Sequence, residues 1–297
     1  MADQDVMGDP TTQYPKSGPG FAQQRHGPGL ELRMGSRPDA GEDSYRGTGR
    51  LTGRKAVVTG ADTGISRAVA IAYAREGANV VLSYLPEEEA DAQEVVQLIE
   101  DAGRRAVPAP GDVTDDYCTS LIDIPCRELG GVDVVADVAG KQQEVPDVAD
   151  LTTEQFEETF ETDMFFLFWL CRAAVPQMPS GSAIISTTLV EAYEPAPILL
   201  DYAAAKAAIN ILAKSLARQV APMGIRVNAV ALGPVWTPLQ VVGGQPTEAL
   251  ARFGSQTPLG RPAQPAEMAL AFVFLTSQEA SYVIAETLSA TGGIPTS

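Results

Sequence analysis

From Lys55 onward, short β-rich apolar runs alternate with helical patterns, and a glycine-rich turn marks the first joint between them. KAVVTG (55–60) reads as a strand ending in glycine, SRAVAIAYAREGA (66–78) as a helix, and NVVLSY (79–84) as a second strand. Strand signals recur at 105–112, 132–140, 182–188, 225–231 and around 284–290, with helical patterns at 86–103, 115–129, 153–176, 201–220 and 265–277. Strands alternating with helices indicate a parallel sheet covered on both faces. The pattern therefore predicts an α/β fold: one doubly wound domain over 51–297, with a parallel seven-stranded sheet and helices on either side.

The preceding segment has a different character. Residues 1–50 are punctuated throughout by Gly and Pro and sustain no apolar periodicity. They predict an N-terminal arm that is either flexible or ordered against its own domain or a neighbouring subunit, with Phe21, Leu30, Leu32 and Met34 as apolar anchors. The single histidine, His26, lies in this arm, which removes Ser-His-Asp, Cys-His and His-ligated zinc chemistry from the domain. No metal is expected.

Charge narrows the partners. A net charge of −17 argues against nucleic acid and against anionic membrane surfaces. No early apolar run resembles a signal peptide, and the most apolar stretch, 164–170, is too short to span a bilayer, so a soluble cytoplasmic protein is expected. Cys118, Cys126 and Cys171 form neither a CxxC pair nor an even-numbered framework and read as plain thiols.

The first strand runs into Thr59-Gly60-Ala61-Asp62-Thr63-Gly64-Ile65-Ser66 and then a helix. Glycines at such a turn let the backbone approach a pyrophosphate, while the helix N-terminus offers N–H donors and positive dipole. In so acidic a chain, a phosphate site must rest on those local amides.

This turn resembles the TGxxxGxG turn of the short-chain dehydrogenases/reductases, and four further landmarks of that family follow in order. They are Gly111-Asp112-Val113, Ala139-Gly140, Tyr202-Ala203-Ala204-Ala205-Lys206, and the stretch from Asn228 through Gly233 to Thr237. The closing segment PLGRPAQPAEMA…TGG (258–293) is also similar. The likeness covers about residues 51–293. It is greatest to bacterial oxidoreductases with a long N-terminal extension ending in a GExSYxGxGRLxG-like segment, here Gly41 to Gly53.

The resemblance implies a Rossmann-type domain binding a nicotinamide dinucleotide. Gly60, Asp62, Thr63, Gly64 and Ile65 would form the phosphate turn, and Ser83 and Tyr84 would stand at the adenosine ribose. Asp112 and Val113 would meet adenine, Ala139 and Gly140 the ribose, and Gly233, Val235 and Thr237 the nicotinamide end. Because Tyr84 stands where NAD-preferring relatives place an acid, and Ser83 and Arg67 are near, NADP(H) is expected ahead of NAD(H). The family also implies a homo-oligomer, tetramer or dimer, through helices over 153–176 and 201–220, and a small-molecule substrate.

Tyr202 and Lys206 are four apart on a helix and share one face. A lysine beside a phenol is expected to lower the tyrosine pKa from about 10 toward working pH, suiting Tyr202 to donate a proton as hydride adds. Lys206 would also hold the nicotinamide ribose.

The same pocket departs from the family. Leu189 replaces the serine that binds the substrate oxygen, and losing such a donor costs about 10²–10³ in rate. Thr187, two residues back on the same strand, is the candidate substitute, whereas Thr188 would face away. Asp163 replaces an asparagine of the proton relay, Asp137 begins the NNAG-like signature, Ser66 replaces the third glycine, and Leu232 replaces a proline. Glu191 stands where close relatives carry glutamine. Leu189, Glu191, Tyr193 and Trp236 are assigned to the substrate pocket, under a lid running from Trp236 to Pro258. Added acids and a lost oxyanion donor disfavour a plain ketone and suit a bulky substrate that arrives cationic, such as an iminium formed from a carbinolamine. The alternative is a catalytically silent nucleotide-binding sensor or partner subunit.

Overall fold

The computed structural model describes residues 4, 6–25, 27 and 29–296; His26 lies outside the described residues. Seven strands form one parallel sheet: β1 (Lys55–Val58), β2 (Asn79–Tyr84), β3 (Ala106–Pro110), β4 (Val134–Asp137), β5 (Ala183–Leu189), β6 (Arg226–Leu232) and β7 (Thr287–Ala290). Their order is β3-β2-β1-β4-β5-β6-β7. Among them run α1 (Gly64–Arg75), α2 (Glu89–Asp101), α3 (Asp115–Glu128), α4 (Thr153–Phe160), α5 (Phe166–Ala174), α6 (Leu200–Val220), α7 (Pro238–Val242), α8 (Thr247–Leu250) and α9 (Pro265–Thr276).

The strand sequences explain the layers. Successive side chains point to opposite faces, so a strand buried on both sides is apolar at every position. Ala56 and Val58 pack with α1, α2 and α9, whereas Val57 between them packs with α3, α5 and α6. Val80 and Leu82 against Val81, and Val134 and Ala136 against Val135, divide the same way. β3 is an edge strand, which is why it tolerates Pro108 and Pro110. Winding reverses between β1 and β4, and the crevice at the carboxyl ends of those strands is where ligands bind in such sheets.

Two departures from the periodicity bear on the site. The pattern over 153–176 predicts one helix, but a π-helical turn at Glu161–Phe165 separates α4 from α5, and a 3₁₀ turn with Pro176 follows. Wide turns of this kind re-aim side chains and recur at functional sites. Here the turn carries Asp163 against α6. The lid region also contains two short helices, α7 and α8, too brief for periodicity to reveal.

The segment before β1 packs on the domain through both apolar and ionic contacts. Phe21 and Met34 are buried with Trp236, Val241 and Leu250, while Leu32 is exposed. The Phe21 and Trp236 rings lie 4.4 Å apart, and the indole N–H donates to the Ser36 carbonyl at 2.9 Å. Nearer β1, the buried Glu76 carboxylate at the end of α1 accepts from the Tyr45 hydroxyl (2.6 Å), the Thr48 and Arg50 amides (2.9 and 3.0 Å) and the Arg50 guanidinium (2.6 Å).

Candidate active site

Apart from Arg67, the residues expected to hold the nucleotide, from Gly60 to Thr237, line one cleft of about 720 Å³ at the carboxyl end of the sheet. Gly60 and Gly64 adopt left-handed backbone (φ +62° and +55°), which favours glycine. A Cβ on Gly64 would come within 3.2 Å of Thr237, so the two ends of the site approach as closely as they do because that position carries no side chain. These features fit a dinucleotide cradle. Val138 and Ala139 are held by their amides to Thr59 Oγ1 (2.9 and 3.0 Å), whose own hydroxyl donates to Asp137 Oδ1 at 3.1 Å.

One contributor comes from outside the motif. Glu31 is fully buried, and its carboxylate accepts the Gly64 N–H at 2.8 Å, capping the start of α1. Asp91 in turn accepts the Glu31 and Leu32 amides (2.7 and 3.1 Å). Burial pushes Glu31 up to about 7, against the pull of Arg67. Nothing in a Gly/Pro-rich arm marks residue 31 as a partner of residue 64.

The adenosine end differs from expectation. Arg67 is absent from the cleft lining: its guanidinium is buried and taken up by Glu42 (3.0 Å) and Glu94 (3.1 Å), with Glu31 at 3.6 Å. Carboxylates from the arm and α2 hold it there, away from the cleft lining. Tyr84 donates to Glu89 at 2.7 Å, and Ser83 Oγ lies 2.9 Å from the Tyr117 hydroxyl. The lining adds Glu88 beside the expected Asp62, and Asp62 Oδ2 is buried without a hydrogen-bond donor. Burial raises both carboxyls, and Glu88 raises Asp62 further.

At the chemical end, α6 presents Tyr202 and Lys206, both buried. Lys206 Nζ stands over the Tyr202 ring, 5.3 Å from its centre, and lies 2.7 Å from Asp163 Oδ1. Gly140 admits this pair, since a Cβ there would meet Asp163 Oδ1 at 2.7 Å and Lys206 Nζ at 3.2 Å. Burial raises Asp163, opposed by the Lys206 ammonium; burial raises Asp137 to about 7, opposed by the same ammonium. The expected lowering of Tyr202 is reversed. Burial, then the carboxylates of Asp163 and Glu191, hold its hydroxyl well above the usual range.

The predicted substrate residues divide. Leu189 and Glu191 line the cleft; burial pushes Glu191 up. Tyr193 does not line it, because its hydroxyl accepts from Asn210 Nδ2 at 2.8 Å. Trp236 is buried beneath the lid against Phe21 and likewise lies outside the lining. Thr187 faces the cleft, and its hydroxyl donates to the Asp137 carbonyl at 2.8 Å. Thr188 faces away, bonded to the Lys206 carbonyl at 2.8 Å. The lining also includes Gln142, which donates to Gln240 of the lid at 3.3 Å. That contact joins residues far apart in sequence and carries no motif.

The comparisons agree with this geometry. A family model described as Enoyl-(Acyl carrier protein) reductase matches residues 60–295. The uncharacterized oxidoreductase YghA of Escherichia coli is 54% identical over 286 residues, covering 96% of this chain and 97% of that protein. The uncharacterized oxidoreductase YhxD of Bacillus subtilis is 55% identical over 278 residues, covering 92% and 93%. Among solved structures, a short-chain dehydrogenase from Burkholderia cenocepacia in complex with NADP superposes with a TM-score of 0.77 at 29% identity, covering 82% of this chain and 99% of that one. A seven-stranded parallel sheet, a glycine turn at its switch point, a Tyr–Lys helix beside it and these relatives place the chain in the short-chain dehydrogenase/reductase family.

Proposed function

We propose that this oxidoreductase reduces a bulky, cationic carbon–nitrogen double bond, generated from a carbinolamine, with Tyr202 as proton donor. The observation that carries this is the charge balance at the site: two buried carboxyls, Asp137 and Asp163, face the Lys206 ammonium, and a third, Glu191, faces Tyr202. Such a pocket attracts a cation and penalises a developing oxyanion. Leu189 offers the oxyanion no donor, and Thr187 is already committed.

The nicotinamide supplies hydride when bound. Tyr202, held as a phenol, gives its proton to the carbinolamine hydroxyl. As the C–O bond breaks and water leaves, the nitrogen lone pair forms the C=N⁺ bond. Glu191 faces the same cleft and attracts that cation, while Leu189 and the lid residue Phe253 supply apolar contact and exclude water. Phe168 and Ile211, exposed at 45% and 64% on α5 and α6, support homo-oligomer formation through those helices.

Turnover of a bulky N-methylated cyclic iminium salt, with its ketone analogue as comparator, tests the reading. The iminium is expected to be reduced and the ketone to lag. Ready ketone reduction with no iminium reduction would sink it, and nucleotide binding without any turnover would favour a silent sensor. Leu189→Ser should restore ketone turnover toward the 10²–10³-fold contributed by one oxyanion donor, with little gain on the iminium.

For the cofactor, the Burkholderia neighbour holds NADP. In this chain, however, the expected cation Arg67 is engaged elsewhere, and Asp62 and Glu88 line the adenosine end. Carboxyls suit ribose hydroxyls and repel a 2′-phosphate, so this arrangement supports NAD(H) over the NADP(H) anticipated from Tyr84. NADH is expected to bind more tightly than NADPH by titration calorimetry, and Asp62→Ser to narrow the gap. Tighter NADPH binding by the wild type would reverse the assignment.

A further inference from the structure

Lys206 is placed to act on Tyr202, yet its nearest anion is elsewhere. The ammonium lies 2.7 Å from Asp163 Oδ1, over the face of the Tyr202 ring, and all three side chains are buried. Asp163 reaches this position because the π turn at Glu161–Phe165 interrupts the helix there and because Gly140 leaves room for the pair. We propose that Asp163 is a positioning residue: by engaging the Lys206 ammonium it withholds that charge from the Tyr202 hydroxyl, so the side chain stays a phenol, the form in which it can serve as proton donor and not as base. This rests on Tyr202 being the proton donor, as read above.

The surrounding charges act in the same direction. From β4, Asp137 also faces Lys206, and from the turn after β5, Glu191 faces Tyr202. On α6 itself, Asp201 is held by the Thr159 hydroxyl at 2.8 Å and the Tyr202 amide at 2.9 Å. Lys141, at the cleft, is paired with Glu158. Among the described residues lining the cleft, Lys206 and Lys141 are the only basic ones, so no second cation compensates for the charge that Asp163 engages. The raised affinity of Tyr202 for its proton agrees with this arrangement.

The test needs no substrate. Tyrosinate absorbance of the nucleotide-free protein is followed as pH rises, and subtracting the Tyr202→Phe curve isolates Tyr202. For the wild type, no Tyr202 signal is expected up to about pH 10. For Asp163→Asn, measured against the Asp163→Asn/Tyr202→Phe double variant, the midpoint should fall by about one pH unit or more, which is tenfold more phenolate at a given pH. Glu191→Gln, which leaves the Lys206 pair intact, should move it less. An unchanged Asp163→Asn curve overturns the proposal. So does a wild-type Tyr202 that titrates at or below ordinary tyrosine, a result readable even if the variant does not fold. A panel without turnover would defeat the proposed function and leave this titration standing; an unchanged titration would do the reverse.

Discussion

Tyr202→Phe is expected to lower turnover of a carbinolamine or carbonyl substrate by about 10²–10⁴-fold, the usual contribution of a placed proton donor. A preformed N-methylated iminium salt should be spared most of that loss. The physical reason is that the two substrates need different things from the hydroxyl. A carbinolamine must lose water, and a carbonyl must gain a proton, whereas a permanent iminium accepts hydride and becomes a neutral amine with no proton transfer. The substitution keeps the ring beneath the Lys206 ammonium, so the Lys206–Asp163 pair at 2.7 Å is not disturbed. Comparing kcat for both substrates in wild type and variant checks this. Equal losses on the two would mean that Tyr202 acts by positioning the nucleotide instead of by donating its proton.

The second large effect is on stability. Glu76→Ala should destabilise the protein by about 3–5 kcal/mol, as removing one partner of a buried ion pair does. Glu76 is fully buried, and its two oxygens gather Tyr45, Thr48 and Arg50 onto the end of α1. Removing it leaves the Arg50 guanidinium and two amides without their acceptor. Denaturant unfolding measures the difference, and a loss below about 1 kcal/mol, the value of an exposed pair, would mean the segment is held by other contacts. Burial alone would raise the Glu76 carboxyl, but the hydrogen bonds from Arg50, Tyr45 and the two amides bring it down to about 2. Because the folded value lies below the unfolded one, this stabilisation is complete above about pH 4.5 and is lost as pH falls toward about 2. Wild type should therefore lose stability over that acid range more steeply than Glu76→Gln.

Much of this molecule was legible in order along the chain. Apolar runs such as KAVV and NVVLSY are continuous because both faces of each strand are covered, and that alone fixes a parallel sheet with helices on either side. The turn from Thr59 to Ser66, the Tyr202–Lys206 spacing and Leu189 were legible for a related reason: each depends on backbone geometry or on residues within one turn or one strand. What lay beyond reach was the destination of charged side chains. Arg67 is near the phosphate turn in sequence, yet Glu42, Glu94 and Glu31 take it away from the cleft. Trp236 sits next to Val235 of the site, yet its ring turns beneath the lid onto Phe21.

The Tyr–Lys pair shows the same division most sharply. Spacing alone places Tyr202 and Lys206 on one face of α6, because an α-helix repeats every 3.6 residues. Whether that ammonium lowers the tyrosine depends on what else it meets, and Asp163 comes from another helix, 43 positions earlier, aimed by a π turn that no local pattern announces. Glu31 at Gly64 is the same kind of contact. The sequence by itself determined the sheet, the glycine turn and the presence of the Tyr–Lys pair, since these follow from local periodicity and glycine stereochemistry. Only the tertiary structure decided which charged groups face the pair, since electrostatic energy depends on distances through space between groups that the chain order keeps far apart.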